Sequence, residues 1–196
     1  MKIILASKSP RRKMLLDHLG YKFDVIPANI DESKISTKIN PIYYCISLAK
    51  NKAESVSMIH PNALIIGADT IVVIKNKILN KPKDKSQAKK MLKMLSGNTH
   101  EVHTGVHLEL KEKRIYHSFS ETSKVQFNDI SELEINYYIE NHKPYDKAGS
   151  YGIQDWSAIF VEGIIGCYDN IVGLPISRLY KELKKLNINL LDSTLK

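Results

Sequence analysis

The stretch from Ala63 to Ile74 reads Ala-Leu-Ile-Ile-Gly-Ala-Asp-Thr-Ile-Val-Val-Ile, almost continuously apolar and β-branched. Such a run suits a strand buried on both faces, so the rest of the chain must supply the layers that cover it. Asp69 interrupts it, with Gly67 two residues before and Thr70 directly after. An unpaired buried carboxylate costs on the order of several kcal/mol. Asp69 must therefore be paired, solvated by a cleft or bound to a cation; the plainer alternative is a turn aspartate at a β-bulge made by Gly67.

The flanking segments predict alternating strands and helices. Lys2 to Ala6 reads as a short buried strand. Ser9 and Pro10 then mark a helix start, as N-cap and first helical residue, with Met14, Leu15 and Leu19 as the apolar face and Gly20 as the stop. Arg11 and Arg12 occupy the first turn of that helix, where the macrodipole disfavours cations. Free backbone amides, the Ser7 and Ser9 hydroxyls and two guanidiniums together suit a bound anion such as phosphate; the alternative is that both arginines splay into water. Tyr21 to Pro27 reads as a second strand, followed by a polar loop carrying Asp31 and Glu32. A helix over Pro41 to His60 has an apolar stripe of Cys45, Leu48, Ala49, Ala53 and Val56, and Lys52 falls on that stripe. A lysine so placed either snorkels to the edge or faces a lined cavity.

Beyond the central strand, Lys75-Asn76-Lys77 predicts a hairpin turn, Ile78-Leu79 the returning strand and Lys81-Pro82 its exit. A helix over Lys85 to Leu95 buries Ala88, Met91, Leu92 and Leu95. Glu101 to Leu110 and Arg114 to Phe127 read as a long hairpin, whose His103 and His107 share a face; they are expected to be partly exposed strand residues, with a metal pair as the alternative. Ser131 to Glu134 is a capping box opening a helix that stops before Pro144. Asp146 to Gln154 is a loop rich in small residues. Ala158 to Glu162 and Ile164 to Ile165 suggest a strand pair, and Pro175 opens a last helix from Ile176 to Leu186. The irregular alternation predicts an α/β (mixed α+β) chain with a mixed sheet rather than a doubly wound parallel one. No repeat or linker divides it, so a single domain over 1–196 is expected.

Charge and missing motifs narrow the chemistry. The formal charge of +8 suggests an anionic partner. Between Lys75 and Lys93 there are eight lysines and one acid, Asp84. No aromatic residue is interleaved with them, so this cluster reads as a solvated face and nucleic acid is not expected, although a binding module using that surface is the alternative reading. Cys45 and Cys167 show neither metal-ligand spacing nor a disulfide framework, which fits a reducing compartment. The apolar run Ile3 to Ala6 is too short for a signal-peptide core, and no stretch is long enough to span a bilayer, so a soluble cytoplasmic protein is expected. Neither a P-loop nor a dinucleotide fingerprint is present, and there is no nucleophile elbow or paired zinc ligands. What remains is Arg11, Arg12, Lys52 and Lys81 with Glu32 and Asp69, a set that suits a polyphosphate carrying a divalent ion.

Several segments together resemble the Maf family: Ser7-Lys8-Ser9-Pro10-Arg11-Arg12, Gly67-Ala68-Asp69-Thr70, Lys81-Pro82, Leu95-Ser96-Gly97, Asp146 to Gln154 and Gly173-Leu174-Pro175. The resemblance covers nearly the whole chain in order. It implies two lobes around an elongated mixed sheet with a deep cleft, similar to inosine triphosphatases (the Maf/Ham1 type). It also implies metal-dependent cleavage of a nucleoside triphosphate to the monophosphate and pyrophosphate, with Mg²⁺ or Mn²⁺ as cofactor. Links to nucleotide-pool sanitation and to arrest of septum formation are implied, as is a homodimer.

By position, the resemblance makes Asp69 the proton acceptor and Glu32, with Asp69, the metal site. It makes Arg12, Lys52 and Lys81 phosphate contacts with Ser7 beside them, and Arg11, Thr70 and Gln154 positions that choose the base. The run Ala148 to Gln154 resembles the branch acting on dTTP and UTP. The Gln154 amide offers a donor and an acceptor that match N3–H and O4 of thymine or uracil; rotated, it also matches cytosine. One departure stands out: where that branch continues Gly-x-Gly, this chain has Asp155-Trp156-Ser157, which adds an acid near the site and leaves a shifted base preference as an alternative. Trp156 is expected to pack against the sheet rather than stack on a base.

Overall fold

The apolar run forms the strand expected of it in a computed structural model that describes residues 1–37 and 39–188. Along the chain the elements are β1 (Ile3–Leu5), α1 (Pro10–Asp17), β2 (Asp24–Val25), α2 (Pro41–Ser57), β3 (Leu64–Ile74), β4 (Lys77–Leu79), α3 (Lys85–Leu95), β5 (Thr99–Leu110), β6 (Ile115–Phe127), α4 (Glu132–His142), β7 (Val161–Ile165), α5 (Tyr168–Val172) and α6 (Ile176–Lys185). Every residue of β3 is buried except the half-buried Thr70. The sheet has seven strands in the order β2-β1-β3-β5-β6-β7, with β4 also paired to β3. β1 lies parallel to β2 and β3, whereas β4 and β7 run antiparallel to their partners, so the sheet is mixed as expected.

The chain divides into two compact units: Met1–Asp69, Thr104–Glu121 and Gly173 onward form the first, and Thr70–His103 with Thr122–Val172 the second. In the first, Ala53 and Val56 of α2 close over Ile4 and Ala6 of the β1 segment and over Ala63 and Ile65 at the start of β3. Helix α2 can lie this close because two strand positions lack a side chain. A Cβ on Gly67 would sit 2.2 Å from the Ala49 carbonyl oxygen, and one on Gly105 would sit 2.5 Å from Cys45 C and Ile46 N. In the second unit, Val72, Leu92, Leu95, Val125, Phe127, Tyr138, Ile139 and Phe160 belong to one core under α3 and α4. The Lys75-Asn76 turn has positive φ at both central residues (49° and 61°), the geometry that matches strand twist in a two-residue hairpin.

Several sequence-based boundaries move. Helix α1 stops at Asp17 and buries Leu15 and Leu16, while Met14 faces solvent, because its short length leaves one narrow contact line. Only Asp24 and Val25 of the expected second strand pair, both exposed at the sheet edge. Helix α2 ends at Ser57, three residues before His60. Trp156 to Phe160, read in part as a strand, forms a 3-10 turn because the Asp155 side chain accepts the Ser157 N–H; the expected strand pair is the single strand β7. Helix α5 had no clear signal, whereas α3 and the capping box of α4 fall where expected. The last helix ends at Lys185, one residue earlier than expected.

Helix α6 is held by a buried carboxylate. Glu182 is 2% exposed and accepts from Lys185 Nζ (2.9 Å), Arg178 Nε (2.7 Å) and His117 Nε2 (3.0 Å). These donors, Lys185 foremost, hold its pKa at about 2 against the opposing pull of burial.

Two outcomes follow from this packing. Gly67→Ala, which puts a methyl against a backbone carbonyl, lowers stability by about 1–3 kcal/mol or more in urea unfolding. Because the Glu182 value is depressed on folding, its contribution is full above the ordinary value of 4.5 and is lost as pH falls toward 2. The expected result is that Glu182→Gln flattens the decline in thermal midpoint over that acid window relative to the parent chain.

Candidate active site

The N-terminus of α1 is built as its sequence dictates. The Ser9 hydroxyl accepts the Arg12 N–H at 3.4 Å, and the Ser9 N–H donates to Ser7 Oγ at 3.2 Å. Arg12 does not splay into water. Its Nε donates to the Gly173 carbonyl at 2.9 Å and its Nη1 to Ser7 Oγ at 3.3 Å, which turns the guanidinium back across the helix start. Burial lowers its pKa and the charge of Arg11 adds to that, while Asp69 and Glu32 oppose the shift. Arg12 remains a cation, as guanidinium does in proteins.

Lys52 does not snorkel either. It is 9% exposed, and its Nζ lies 2.5 Å from Asp69 Oδ1 and 2.8 Å from Glu32 Oε1. Of the three ways to accommodate a carboxylate in β3, the molecule uses pairing: Asp69, also 9% exposed, is neutralised by an ammonium reaching down from α2. Glu32 sits in a short 3-10 turn, Glu32–Lys34, and reaches the same ammonium from its more exposed position. The first unit thus gathers Ser7, Arg12, Lys52, Glu32 and Asp69, with the half-buried Arg11 repelling Arg12 from the neighbouring position.

Two carboxylates converge on one ammonium, so two hard oxygen ligands are already brought together. Among the described residues no group of three His, Cys, Asp or Glu could hold a metal ion. A cation taken up by Asp69 and Glu32 would complete its shell with water and substrate oxygens. That donor set fits Mg²⁺ or Mn²⁺ and not a closed zinc site.

Thr70, Lys81 and Gln154 belong to the second unit. Thr70 is half-buried directly after Asp69, Lys81 is exposed beyond β4, and Gln154 is exposed in a turn. Lys81 and the small-residue loop are linked through the backbone: Gly149 N–H donates to Asn80 O at 3.4 Å. Trp156 packs against aromatic rings of α4 and of its own turn where the sheet was expected, with Tyr137, Tyr138, His142 and Phe160 around it at centroid distances of 5.0 to 6.0 Å.

Other conspicuous residues are occupied elsewhere. His103 and His107 are buried rather than partly exposed as expected, because hydroxyls of β6 satisfy their rings: His103 Nδ1 bonds Thr122 Oγ1 at 2.8 Å and His107 Nδ1 bonds Ser118 Oγ at 2.7 Å. The Cys45 thiol is pushed up to about 12 by burial and is chemically quiet. In the lysine cluster, Lys85 pairs with Glu140, and Lys89 and Lys93 pair with Glu132. No helix among the described residues is long and apolar enough to cross a membrane. Sequence reasoning missed Gly173 as the anchor of Arg12, since a backbone carbonyl has no residue signature, although the Gly173-Leu174-Pro175 motif pointed to the segment.

The Maf-like protein family description matches residues 2–186. The chain is 48% identical over 186 residues to a protein of Carboxydothermus hydrogenoformans named dTTP/UTP pyrophosphatase, covering 94% of this chain and 98% of the relative. It is 47% identical to one of the same name from Bacillus anthracis, covering 96% and 97%. Among solved structures, the Staphylococcus aureus Ham1 protein is similar in part, with a TM-score of 0.47, 14% identity and coverage of 66% of this chain and 73% of that one. With the family description spanning nearly its whole length, this chain belongs to the Maf-like protein family.

Proposed function

We propose that this chain hydrolyses dTTP and UTP to the monophosphate and pyrophosphate. The observation that carries the reading is the Lys52 ammonium held between Asp69 and Glu32. The names of relatives that match it over nearly their whole length support the substrate. Asp69 takes the proton from the water that attacks the α-phosphorus. The bond from that phosphorus to the α–β bridging oxygen then breaks, and pyrophosphate leaves with the electron pair. Lys52, by bonding Asp69, holds that carboxylate in place at the site. Arg12, Lys52 and Lys81 stabilise charge on the phosphates, and Ser7 orients Arg12.

Asp69 and Glu32 would hold a divalent cation, which supplies charge neutralisation on the polyphosphate when bound. Gln154, with Arg11 and Thr70, selects the base: its amide meets N3–H and O4 of thymine or uracil. A nucleic-acid role for the lysine surface finds less support, because Lys85, Lys89 and Lys93 are matched by glutamates of α4.

Purified protein given UTP and Mg²⁺ or Mn²⁺ is expected to release pyrophosphate; release of orthophosphate rejects the reaction. Asp69→Asn is expected to lower kcat by about 10²–10⁴-fold with the fold intact by circular dichroism, the usual range for a general base. Lys52→Met, which strands a buried carboxylate, is expected to cost about 3–5 kcal/mol in chemical denaturation. Combining it with Asp69→Asn recovers much of that loss, and simple additivity of the two changes argues against the pairing.

A further inference from the structure

Asp155, the acid directly after Gln154, has a specific place in the second unit. Gln154 lies in a tight turn closed by the Asp155 N–H donating to Gly152 O at 3.0 Å. The Asp155 carboxylate accepts the Ser157 N–H at 3.0 Å and the Ser157 hydroxyl at 2.6 Å, both on Oδ1. The Tyr138 hydroxyl of α4 lies 3.2 Å from both carboxylate oxygens, and Lys147 Nζ lies 3.6 Å from Oδ2. Ser157 Oγ in turn accepts the Gly152 N–H at 3.1 Å and stands 2.9 Å from Gly152 O.

A hydroxyl has one proton to give. The short charge-assisted contact to Asp155 claims it, which leaves the Ser157 oxygen turned to receive Gly152 N–H and leaves Gly152 O to the Asp155 amide. The fit is close as well as directional. A Cβ on Gly152 would stand 2.8 Å from Asp155 Oδ2 and 2.9 Å from the Lys147 Cδ and Cε atoms.

The same loop is clamped upstream. Gly149 and Ser150 both take left-handed backbone angles (φ 67° and 65°), and such strain in a non-glycine persists only where the surroundings over-determine it. Tyr151 OH bonds the buried His100 Nε2 at 2.8 Å, and Ser150 Oγ reaches Met91 Sδ at 3.1 Å. Residues 149–157 are thus fixed at both ends, and Gln154 is the exposed side chain at the tip of the turn between them.

We infer that Asp155 is a positioning residue for base selection: by tying Ser157, Tyr138 and Lys147 to the turn Gly152–Asp155, it fixes the backbone from which Gln154 offers its amide. This rests on the reading of Gln154 as the base contact. An amide on a fixed turn can be held with its acceptor toward N3–H and its donor toward O4. The amide can turn about its own terminal bond, but a fixed turn presents it at one distance and angle to the base, whereas a loosened turn lets it settle equally well against cytosine. The order of the turn therefore bears on the choice between uracil and cytosine. Order established before binding also removes the entropy of immobilising the turn on the nucleotide, and therefore shows in KM.

The test compares the parent chain with Asp155→Ala, Asp155→Asn, Tyr138→Phe and Gln154→Ala, measuring kcat and KM for UTP and CTP. Asp155→Ala is expected to raise KM for UTP and to lower the UTP/CTP ratio of kcat/KM by about tenfold, the size of one misdirected hydrogen bond. Saturated kcat for UTP should change much less. Asp155→Asn keeps a carbonyl acceptor for Ser157 and is expected to restore most of the ratio. Tyr138→Phe should lower it by a smaller factor and keeps the question answerable if Asp155→Ala does not fold.

An unchanged ratio in Asp155→Ala or, should that variant not fold, in Tyr138→Phe, alongside a lowered ratio in Gln154→Ala, overturns the positioning role alone. A loss in kcat at constant ratio does the same, since it marks a merely structural effect. An unchanged ratio in Gln154→Ala removes the base contact itself and this inference with it.

Discussion

A carboxylate can sit inside the most apolar strand of this chain only because an ammonium arrives from the helix above it. That contact, Lys52 Nζ to Asp69 Oδ1, sets demands on everything nearby. The helix must pass close enough for a lysine stem to reach the strand, and it does so over Gly67 and Gly105, where a side chain would strike its backbone. Where it meets these glycines its own residues are small: Cys45, Ala49 and Ala53. The same lysine bonds Glu32, so the ion pair that makes the core tolerable also brings two acids to one point. Stability and the proposed reactivity here share a single interaction.

Chemistry and recognition are divided along the chain. The charged groups proposed to act on the phosphates lie mainly in the first unit, while Thr70, Lys81 and Gln154 belong to the second. The division falls inside β3, between the consecutive residues Asp69 and Thr70. A proposed proton acceptor and a proposed base-selecting position are therefore neighbours on one extended backbone. The loop carrying Gln154 is bonded to the residue before Lys81, which ties a further proposed phosphate contact to the same scaffold.

Much of this was legible because charge stood where pattern forbids it. Asp69 in a β-branched run, Lys52 on a helical stripe and Arg12 at a helix start each break a local rule, and each proves to be paired across the fold. The hairpin, helix α3 and the capping box were equally readable, since Asn76, Asp84 and Ser131 act within a few residues of themselves. What escaped depends on distant partners. No spacing announces that Tyr138 meets Asp155, or that Glu182 collects Lys185, Arg178 and His117. The strand pair expected near Ile159 failed for a local reason: an aspartate cap outweighed β propensity and wound Trp156–Phe160 into a 3-10 turn.

The bond from Arg12 to the Gly173 carbonyl joins residues 161 positions apart. On a ribosome this contact is unattainable until the segment bearing Gly173 has been made and has cleared the exit tunnel. The start of α1 therefore waits for its anchor while the 161 positions up to Gly173 are synthesised. During that interval the proposed phosphate end of the site stays unfinished, and its maturation is coupled to emergence of the Gly173 segment rather than to the folding of the residues around α1.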